Sequence, residues 1–177
     1  MHPVRQARRL PITTSACRHS RHAARCCHSG APGERLTGQN GWTGIDGCPL
    51  YTDDDFPRAN QQLEDILARE ADLDAFLPTG GFPQFVPDAY RAAVGPHKAR
   101  IDSGALALVV ADTLPVQMDL MKEGLSLGQV GQRPFEMGYK AMYFLRDMIK
   151  ENKNLDDSTY TGLDVCTPET ADTCIGG

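Results

Sequence analysis

Three polar side chains follow two short apolar runs in the second half of the chain, and their types suit hydrogen bonding. Asp112 comes directly after the aliphatic run at 106–111, and Gln132 and Arg133 follow a shorter run at 129–131. A carboxylate, an amide and a guanidinium accept and donate paired hydrogen bonds, so together they can bind a polyhydroxylated solute. They do not form the nucleophile and base pair that covalent catalysis requires.

The two apolar runs are predicted to be strands of a parallel sheet. The run at 106–111 is apolar on both faces, which is typical of a central parallel strand. A helix that is opened by Thr113 and Pro115 and ended by Gly124 follows it, and a longer helix begins at Pro134. In an open α/β sheet ligands bind beyond the carboxyl ends of the strands, so the polar groups should share that edge.

The rest of the body alternates strands and helices in the same way. Strands are predicted at 45–51, 73–77 and 160–165, and further helices begin near Pro57 and Pro87. This alternation indicates an α/β fold, with one Rossmann-like lobe that has a parallel sheet and helices on both faces.

Two groups of residues are interpreted as structural. The acids at 53–55 should cap the helix after them, because their spacing lacks the glycine and distal glutamate of an EF-hand calcium loop. The helix from Pro134 has an apolar face that we expect in the core. Its members are Gly138, Ala141, Met142, Leu145, Met148 and Ile149.

Residues 1–33 form a head that differs in composition from the body at 34–177. The head contains six Arg and no acidic residue, and its apolar runs are too short for a secretory signal. It is predicted to be disordered or non-native. Two alternatives stay open, a nucleic-acid or organelle-targeting arm and a zinc site. The candidate zinc ligands are Cys17, His19, His22, Cys26, Cys27 and His28.

Composition and motifs exclude several functional classes for the body. All 23 acidic residues lie outside the head, so the body is acidic and does not suit nucleic acid. No apolar run approaches the length of a membrane-spanning helix. The glycines at 128–131 lack dinucleotide-fingerprint spacing, there is no G-x-S-x-G elbow, and His97 is the one histidine of the body. We therefore expect neither an enzyme nor a cofactor or metal.

Five segments spread over most of 34–170 carry a family resemblance. They are GCPLYTDDDFPRANQQLEDIL, LDAFLPTGGFPQF, LALVVADTLP, GQVGQRPFEMGYKAMYFL and YTGLDVCTPE. Through them the body resembles the C-terminal half of periplasmic sugar-binding proteins, the ribose-binding type of solute receptor for ABC importers. The resemblance implies two Rossmann-like lobes of the type 1 periplasmic binding fold, joined by a hinge, with a sugar in the cleft.

The resemblance also implies ligand-binding positions. An Asp after one strand and a Gln after the next bind the ligand or line the hinge in that family, and these fall on Asp112 and Gln132. The polar position after the LDAF strand, often Asn in relatives, is Thr79 here. Beside it Gly80 permits close backbone approach, and either Phe82 or Phe85 could cover a sugar ring while the other packs in the core. The predicted ligand-binding set is Asp112, Gln132, Arg133, Thr79, Gly80 and Phe82.

A full receptor of this type is about twice as long, with a signal peptide and an N-terminal lobe that this chain does not show. The resemblance therefore implies a truncated, periplasmic sugar-binding component that works with an ABC permease. The alternative is the effector-binding core of a lactose-repressor-type transcriptional regulator, which would need a helix-turn-helix at its N-terminus. Cys166 and Cys174 lie eight positions apart. The implied export favours a disulfide between them over two free thiols.

Overall fold

The computed structural model describes residues 24–28, 42–154 and 158–174. In these ranges the strands are β1 (Ala24–His28), β2 (Trp42–Gly44), β3 (Ala75–Leu77), β4 (Ala107–Ala111), β5 (Gly128–Gly131) and β6 (Asp164–Cys166). The α-helices are α1 (Phe56–Arg69), α2 (Pro87–Val94), α3 (Lys98–Asp102), α4 (Pro115–Lys122) and α5 (Pro134–Glu151). Short 3-10 turns lie at Phe82–Phe85 and Gly95–His97.

The strands form one sheet in the order β2-β1-β3-β4-β5-β6. All pairings from β2 across to β5 are parallel, and Val109 lies beside Gly128 where β4 meets β5. The predicted α/β class, a parallel-dominated sheet with flanking helices, is confirmed.

The last strand departs from the all-parallel prediction, because β6 pairs antiparallel to β5. A parallel neighbour needs a crossover that returns the chain to the amino edge of the sheet. Here Gly131, at the end of β5, lies beside Asp164, at the start of β6. The chain therefore re-enters at the carboxyl edge, and α5 is not a crossover helix.

Two strand predictions differ from the structure. The stretch at 45–51 is a loop, although Ile45 is buried. Gly47 takes a positive φ of 85° and Pro49 lacks an N–H, so neither continues a sheet ladder. The final strand begins at Asp164, and Tyr160 is exposed.

Part of the predicted disordered head belongs to the sheet. Ala24–His28 forms β1, between β2 and β3, so for these five residues the prediction of disorder is wrong. An apolar period is hard to see in a strand whose letters are ARCCH. The other predictions for the head, including the zinc ligands, concern side chains outside those that the structure describes. The division at residue 33 stays a prediction.

The core lies between the sheet and the helices α1 and α2. From α1 it receives Leu63, Ile66 and Leu67, and from α2 Tyr90 and Val94, all of them fully buried. The Tyr90 hydroxyl donates to the carbonyl of Leu125 at 2.8 Å, and burial raises the pKa of this phenol. The capping prediction is confirmed at Asp55, whose Oδ1 accepts from the N–H of Arg58 at 2.9 Å.

Helix α5 does not belong to this core. Its whole length is described, and none of its residues is buried. The prediction that its apolar face packs in the core is wrong. The six predicted core positions are Gly138, Ala141, Met142, Leu145, Met148 and Ile149, and all are exposed. The physical reason is the path of the chain, since a helix that leaves and returns at one edge does not cross a face of the sheet.

The end of the described chain is fastened by a disulfide between Cys166 and Cys174, the pairing that the sequence favoured. Cys166 is fully buried and packs with Met118, Met121 and Ala171 under α4. Cys48 is also disulfide-bonded. The cross-link therefore holds the segment after β6 against the sheet.

Replacing both Cys166 and Cys174 with Ala should lower the free energy of unfolding by about 2–3 kcal/mol, because an eight-residue loop is no longer closed in the unfolded chain. Urea unfolding of the oxidised wild type and of the double variant, without reductant, measures the difference. Equal stability would contradict the prediction. Both proteins keep the disulfide of Cys48, so the difference in stability reports the Cys166–Cys174 bond alone.

Candidate functional site

The carboxyl edge of the sheet brings Asp112 and Gln132 together. Gln132 donates from Nε2 to Asp112 Oδ1 at 3.0 Å, and the N–H of Gly81 donates to Asp112 Oδ2 at 3.0 Å. One half-buried carboxylate thus connects the segments that follow β3, β4 and β5. The adjacency that the parallel sheet predicts for Asp112 and Gln132 is present.

The backbone at Asp112 is unusual. Its φ is 72°, in the left-handed region that Asp and Asn tolerate better than most residues, and its N–H donates to the carbonyl of Val130 at 2.9 Å. Thr113 then packs against Gly131, where a Cβ atom would lie 2.6 Å from the Thr113 hydroxyl. The turn after β4 therefore lies tightly on the end of β5 because residue 131 has no side chain.

Gly80 and Phe82 lie after β3, beside Thr79. A Cβ atom on Gly80 would lie 2.7 Å from the Phe82 ring, so the absent side chain lets the ring lie over the backbone. Phe82 is stacked on Phe56 at 5.8 Å and meets Phe85 edge-on at 6.2 Å. Both Phe82 and Phe85 are half-buried in this three-ring cluster, so neither is a fully buried core residue.

A pocket of about 340 Å³ opens beside these residues. Its lining includes Tyr51, Asp53, Gln62, Thr79, Gly80 and Phe82. Asp112, Gln132 and Arg133 do not line it, so the structure divides the predicted ligand-binding set into two groups. Thr79, Gly80 and Phe82 form the pocket wall, and Asp112 and Gln132 lie on the neighbouring rim of the sheet.

The pocket contains polar residues that the sequence did not assign to a site. Asp53 and Asp54 both have positive φ, 52° and 58°, and the carboxylate of Asp53 pairs with Arg58. Gln62 donates from Nε2 to the carbonyl of Tyr51 at 3.0 Å, while its Oε1 has no partner within the described part of the chain. The run of acids before α1 is the sequence feature that could have indicated these pocket residues, but the sequence interpretation gives it a capping role alone.

Arg133 points its guanidinium at acidic side chains instead of the Asp112 carboxylate. Its Nε and Nη2 lie 3.1 and 2.8 Å from Asp164 Oδ1, and its Nη1 lies 3.8 Å from Glu136. Hydrogen bonding to Asp164 is the largest cause of the raised pKa of Arg133. Hydrogen bonding to Lys140 lowers the pKa of Glu136. In this arrangement Arg133 secures β6, and its assignment to a ligand stays a prediction.

A buried amide cluster supports this edge, and sequence reasoning missed it. Gln117 donates from Nε2 to Gln84 Oε1 and to the carbonyl of Ala111, both at 2.9 Å, and its Oε1 accepts from the N–H of Leu114 at 2.9 Å. Gln129 also donates to Gln84 Oε1, at 2.8 Å. All three glutamines are fully buried. They hold the turn that carries Asp112 against the Phe82–Phe85 turn.

Comparison with known proteins assigns this arrangement to a family. The model of the family described as "Periplasmic binding protein domain" matches residues 28–153, which is well over half of the chain. The chain belongs to the periplasmic binding protein domain family. The match includes both groups of the divided site, from Thr79 to Gln132. A search of curated proteins gave no match.

Solved sugar- and solute-binding proteins share the fold. A glucose-galactose binding protein, GanP, from Geobacillus stearothermophilus has a TM-score of 0.62 and 20% identity, over 77% of this chain and 45% of that one. An ABC transporter solute binding protein from Agrobacterium vitis, bound with alpha-D-tagatopyranose, has a TM-score of 0.63 and 20% identity, over 80% of this chain and 44% of that one. An ABC transporter solute binding protein from Burkholderia graminis, in complex with D-arabinose, has a TM-score of 0.61 and 22% identity, over 80% of this chain and 47% of that one. This chain thus spans less than half the length of each.

The described residues contain no cluster of three or more His, Cys, Asp or Glu side chains that could hold a metal ion. Among them there is also no helix that is both long and apolar enough to cross a membrane. The pocket beside β3 and the rim at Asp112 are the candidate site.

Proposed function

We propose that this chain is the sugar-binding component of an ABC import system, a partial receptor that lies in the periplasm and works with a membrane permease. The observation that carries the proposal is the Asp112 carboxylate, which three strand ends hold at the carboxyl edge beside a pocket. Family membership supports it, and so do similar structures described with bound monosaccharides.

The pocket suits a monosaccharide in size and chemistry. Small-molecule sites have volumes of roughly 300–1,000 Å³, and this one has about 340 Å³. Phe82, Phe76 and Tyr51 provide apolar walls for the C–H faces of a sugar ring. Gln62 gives the pocket lining an amide group, and the Asp112 carboxylate on the neighbouring rim is a charged acceptor for a hydroxyl.

The same geometry supports binding without catalysis. The oxygens of Asp112 accept from a backbone N–H and from an amide, and neither donor is a nucleophile that the carboxylate could activate. His97 follows α2, a helix that runs back from the carboxyl edge, so it lies at the opposite edge of the sheet. Burial, and then the charge of Arg100, lowers the pKa of His97. We propose that the chain is not an enzyme.

The regulator alternative is not favoured. The family is that of periplasmic binding proteins, and the Cys166–Cys174 disulfide suits an oxidising compartment. A cytosolic regulator would keep such thiols reduced.

Titration of the full chain with pentoses and hexoses tests the proposal. We expect at least one monosaccharide to bind this chain with a dissociation constant between about 10 μM and about 1 mM, weaker than for a full-length receptor because the chain spans less than half the length of its relatives. Amide chemical-shift changes detect such weak binding, and they should centre on Gly80, Gly81 and Asp112. Cyclohexanediol, with a similar ring and fewer hydroxyls, is the matched control ligand. The proposal would be contradicted if none of the sugars gave saturable shift changes, or if the changes lay far from these residues.

A further inference from the structure

Gly131 is the last residue of β5, and its surroundings leave no room for a side chain. A Cβ atom on this buried residue would lie 2.6 Å from the Thr113 hydroxyl oxygen and 2.8 Å from the Thr113 methyl carbon. Ordinary contacts between such atoms lie at about 3.5–4.0 Å. The described glycines that have a positive φ are Gly47, Gly104 and Gly124, so the backbone at 131 is one that alanine also adopts. The restriction at 131 is therefore one of space and not of backbone conformation.

Thr113 cannot make room by rotating its side chain. A threonine has heavy atoms at two of the three staggered positions about χ1, and here the hydroxyl and the methyl group occupy the two positions nearest Gly131. Every other rotamer keeps a heavy atom at one of these two positions, so at least one short contact persists. A side chain at 131 must therefore displace the backbone of the turn that carries Thr113, by roughly 0.7 Å to reach an ordinary contact.

The turn that would be displaced also carries Asp112. The N–H of Asp112 donates to the carbonyl of Val130 at 2.9 Å, and Asp112 Oδ1 accepts from Gln132 Nε2 at 3.0 Å. These two hydrogen bonds reach the residues on either side of Gly131. Hydrogen bonds from nitrogen to oxygen are usually no longer than about 3.2 Å, so a displacement of this size weakens both of them. The contact between Gly131 and Thr113 thus sets the spacing between Asp112 and Gln132.

The flanks of the same turn are held independently of β5. Gln117 donates from Nε2 to the carbonyl of Ala111, and its Oε1 accepts from the N–H of Leu114, both at 2.9 Å. The two residues between these anchors are Asp112 and Thr113. A displacement caused by a larger residue at the end of β5 therefore falls on the ligand-facing part of the turn, while the anchors keep the turn in the fold.

We propose that Gly131 is a positioning residue for sugar binding and that it forms a size-matched pair with Thr113, an inference that rests on the proposed function. Neither residue has to contact the sugar. Their close contact fixes the distance between the Asp112 carboxylate and the Gln132 amide, the two groups that the rim offers to hydroxyls. Binding groups have to be held within about 0.5 Å of the productive geometry, which is less than the displacement that a methyl group at 131 imposes.

Gly131→Ala in the full chain should weaken sugar binding by about 10-fold or more, because a misplacement of about 1 Å is sufficient for such a loss. Thr113→Ala removes both close atoms and leaves only its Cβ, at 3.3 Å, so the double variant should bind within about threefold of Thr113→Ala alone. Amide chemical-shift titration with each pentose and hexose of the panel measures the affinities. The side-chain NH₂ resonances of Gln132, recorded without sugar, should move in Gly131→Ala and return in the double variant.

Two control variants distinguish positioning from a general loss of stability. Gly95→Ala makes the same substitution at an exposed glycine with a φ of −50°, where an added Cβ would meet no described atom within 4 Å. Its affinity and melting temperature should equal those of the wild type. Val94→Ala opens a cavity at a fully buried position of α2 and should lower the melting temperature by about 5 °C without weakening sugar binding.

The outcomes separate this role from the proposed function. If Gly131→Ala binds sugar as the wild type does, or if its Gln132 resonances do not move, the positioning role is wrong and the proposed function stands. A loss of affinity that Thr113→Ala fails to reverse, or that Val94→Ala shares, also overturns the positioning role. A wild type that binds no sugar of the panel overturns the proposed function, and the role of Gly131 with it.

Discussion

Replacing Asp112 with Gly is expected to weaken monosaccharide binding by about 100-fold or more while the chain still folds. Hydrogen bonds to a charged group contribute about 1.5–3 kcal/mol each, and a carboxylate on the rim can accept two from adjacent sugar hydroxyls. Glycine is the informative substitution because the φ of 72° suits it. Alanine should also abolish binding, but it adds left-handed strain of about 1–2 kcal/mol to the loss of the acceptor.

Asp112→Asn is the matched control for the charge. Asn tolerates the left-handed backbone and keeps one acceptor oxygen, but its NH₂ group donates and cannot accept, so one of the two hydrogen bonds from Gly81 and Gln132 is lost. We expect an intermediate loss of affinity of about 10-fold. Amide chemical-shift titration gives the affinities, and thermal melting reports the fold.

Affinity and melting temperature together distinguish a direct role of Asp112 in ligand binding from a role in holding the strand ends together. If Asp112→Gly binds as the wild type does, Asp112 is not a ligand residue. If affinity and melting temperature fall together in both variants, the carboxylate acts by joining the ends of β3, β4 and β5, and the pocket beside β3 is then the whole site.

The rim at Asp112 was predictable because it follows from the sheet alone. An aliphatic run that stops at Asp112, a second run before Gln132, and helices between them dictate neighbouring parallel strands. Once the strands are parallel, their carboxyl ends meet, which brings Asp112 and Gln132 to the same edge, where the structure has a 3.0 Å hydrogen bond between them.

The orientation of α5 was not predictable in this way. A periodic apolar pattern says which face of a helix requires burial, but not which surface will cover it. The covering surface depends on where the chain goes after Gly131, and the antiparallel entry of β6 decides that. The same long-range choice explains why the final strand differed from the parallel prediction.

The burial of three glutamines could not be predicted from the sequence pattern either. Gln84, Gln117 and Gln129 lie among residues of mixed polarity, where an amide is normally solvent-exposed. Their burial is a tertiary effect, because each amide satisfies backbone or amide groups that come from different segments. They therefore offer a sharp test of what holds the site in place.

Gln117→Ala is expected to lower the free energy of unfolding by about 3–5 kcal/mol, a large fraction of the stability of a small domain. The substitution removes the partners of the Ala111 carbonyl and the Leu114 N–H, and it leaves Gln84 Oε1 with Gln129 as its remaining donor. It also opens a cavity in a fully buried position.

Gln61→Ala is the control, since it is the same substitution in an exposed helical residue whose amide reaches Asp65 at 3.0 Å. Its cost should stay within about 0.5 kcal/mol, because a surface contact of this kind contributes little. Urea unfolding measures both variants. A loss below about 1 kcal/mol for Gln117→Ala would mean that the Ala111–Leu114 turn does not depend on this amide. Since that turn carries Asp112, a large loss should be accompanied by altered amide shifts at Asp112 and Gly81, whereas a cavity confined to the α4 side would leave them unchanged.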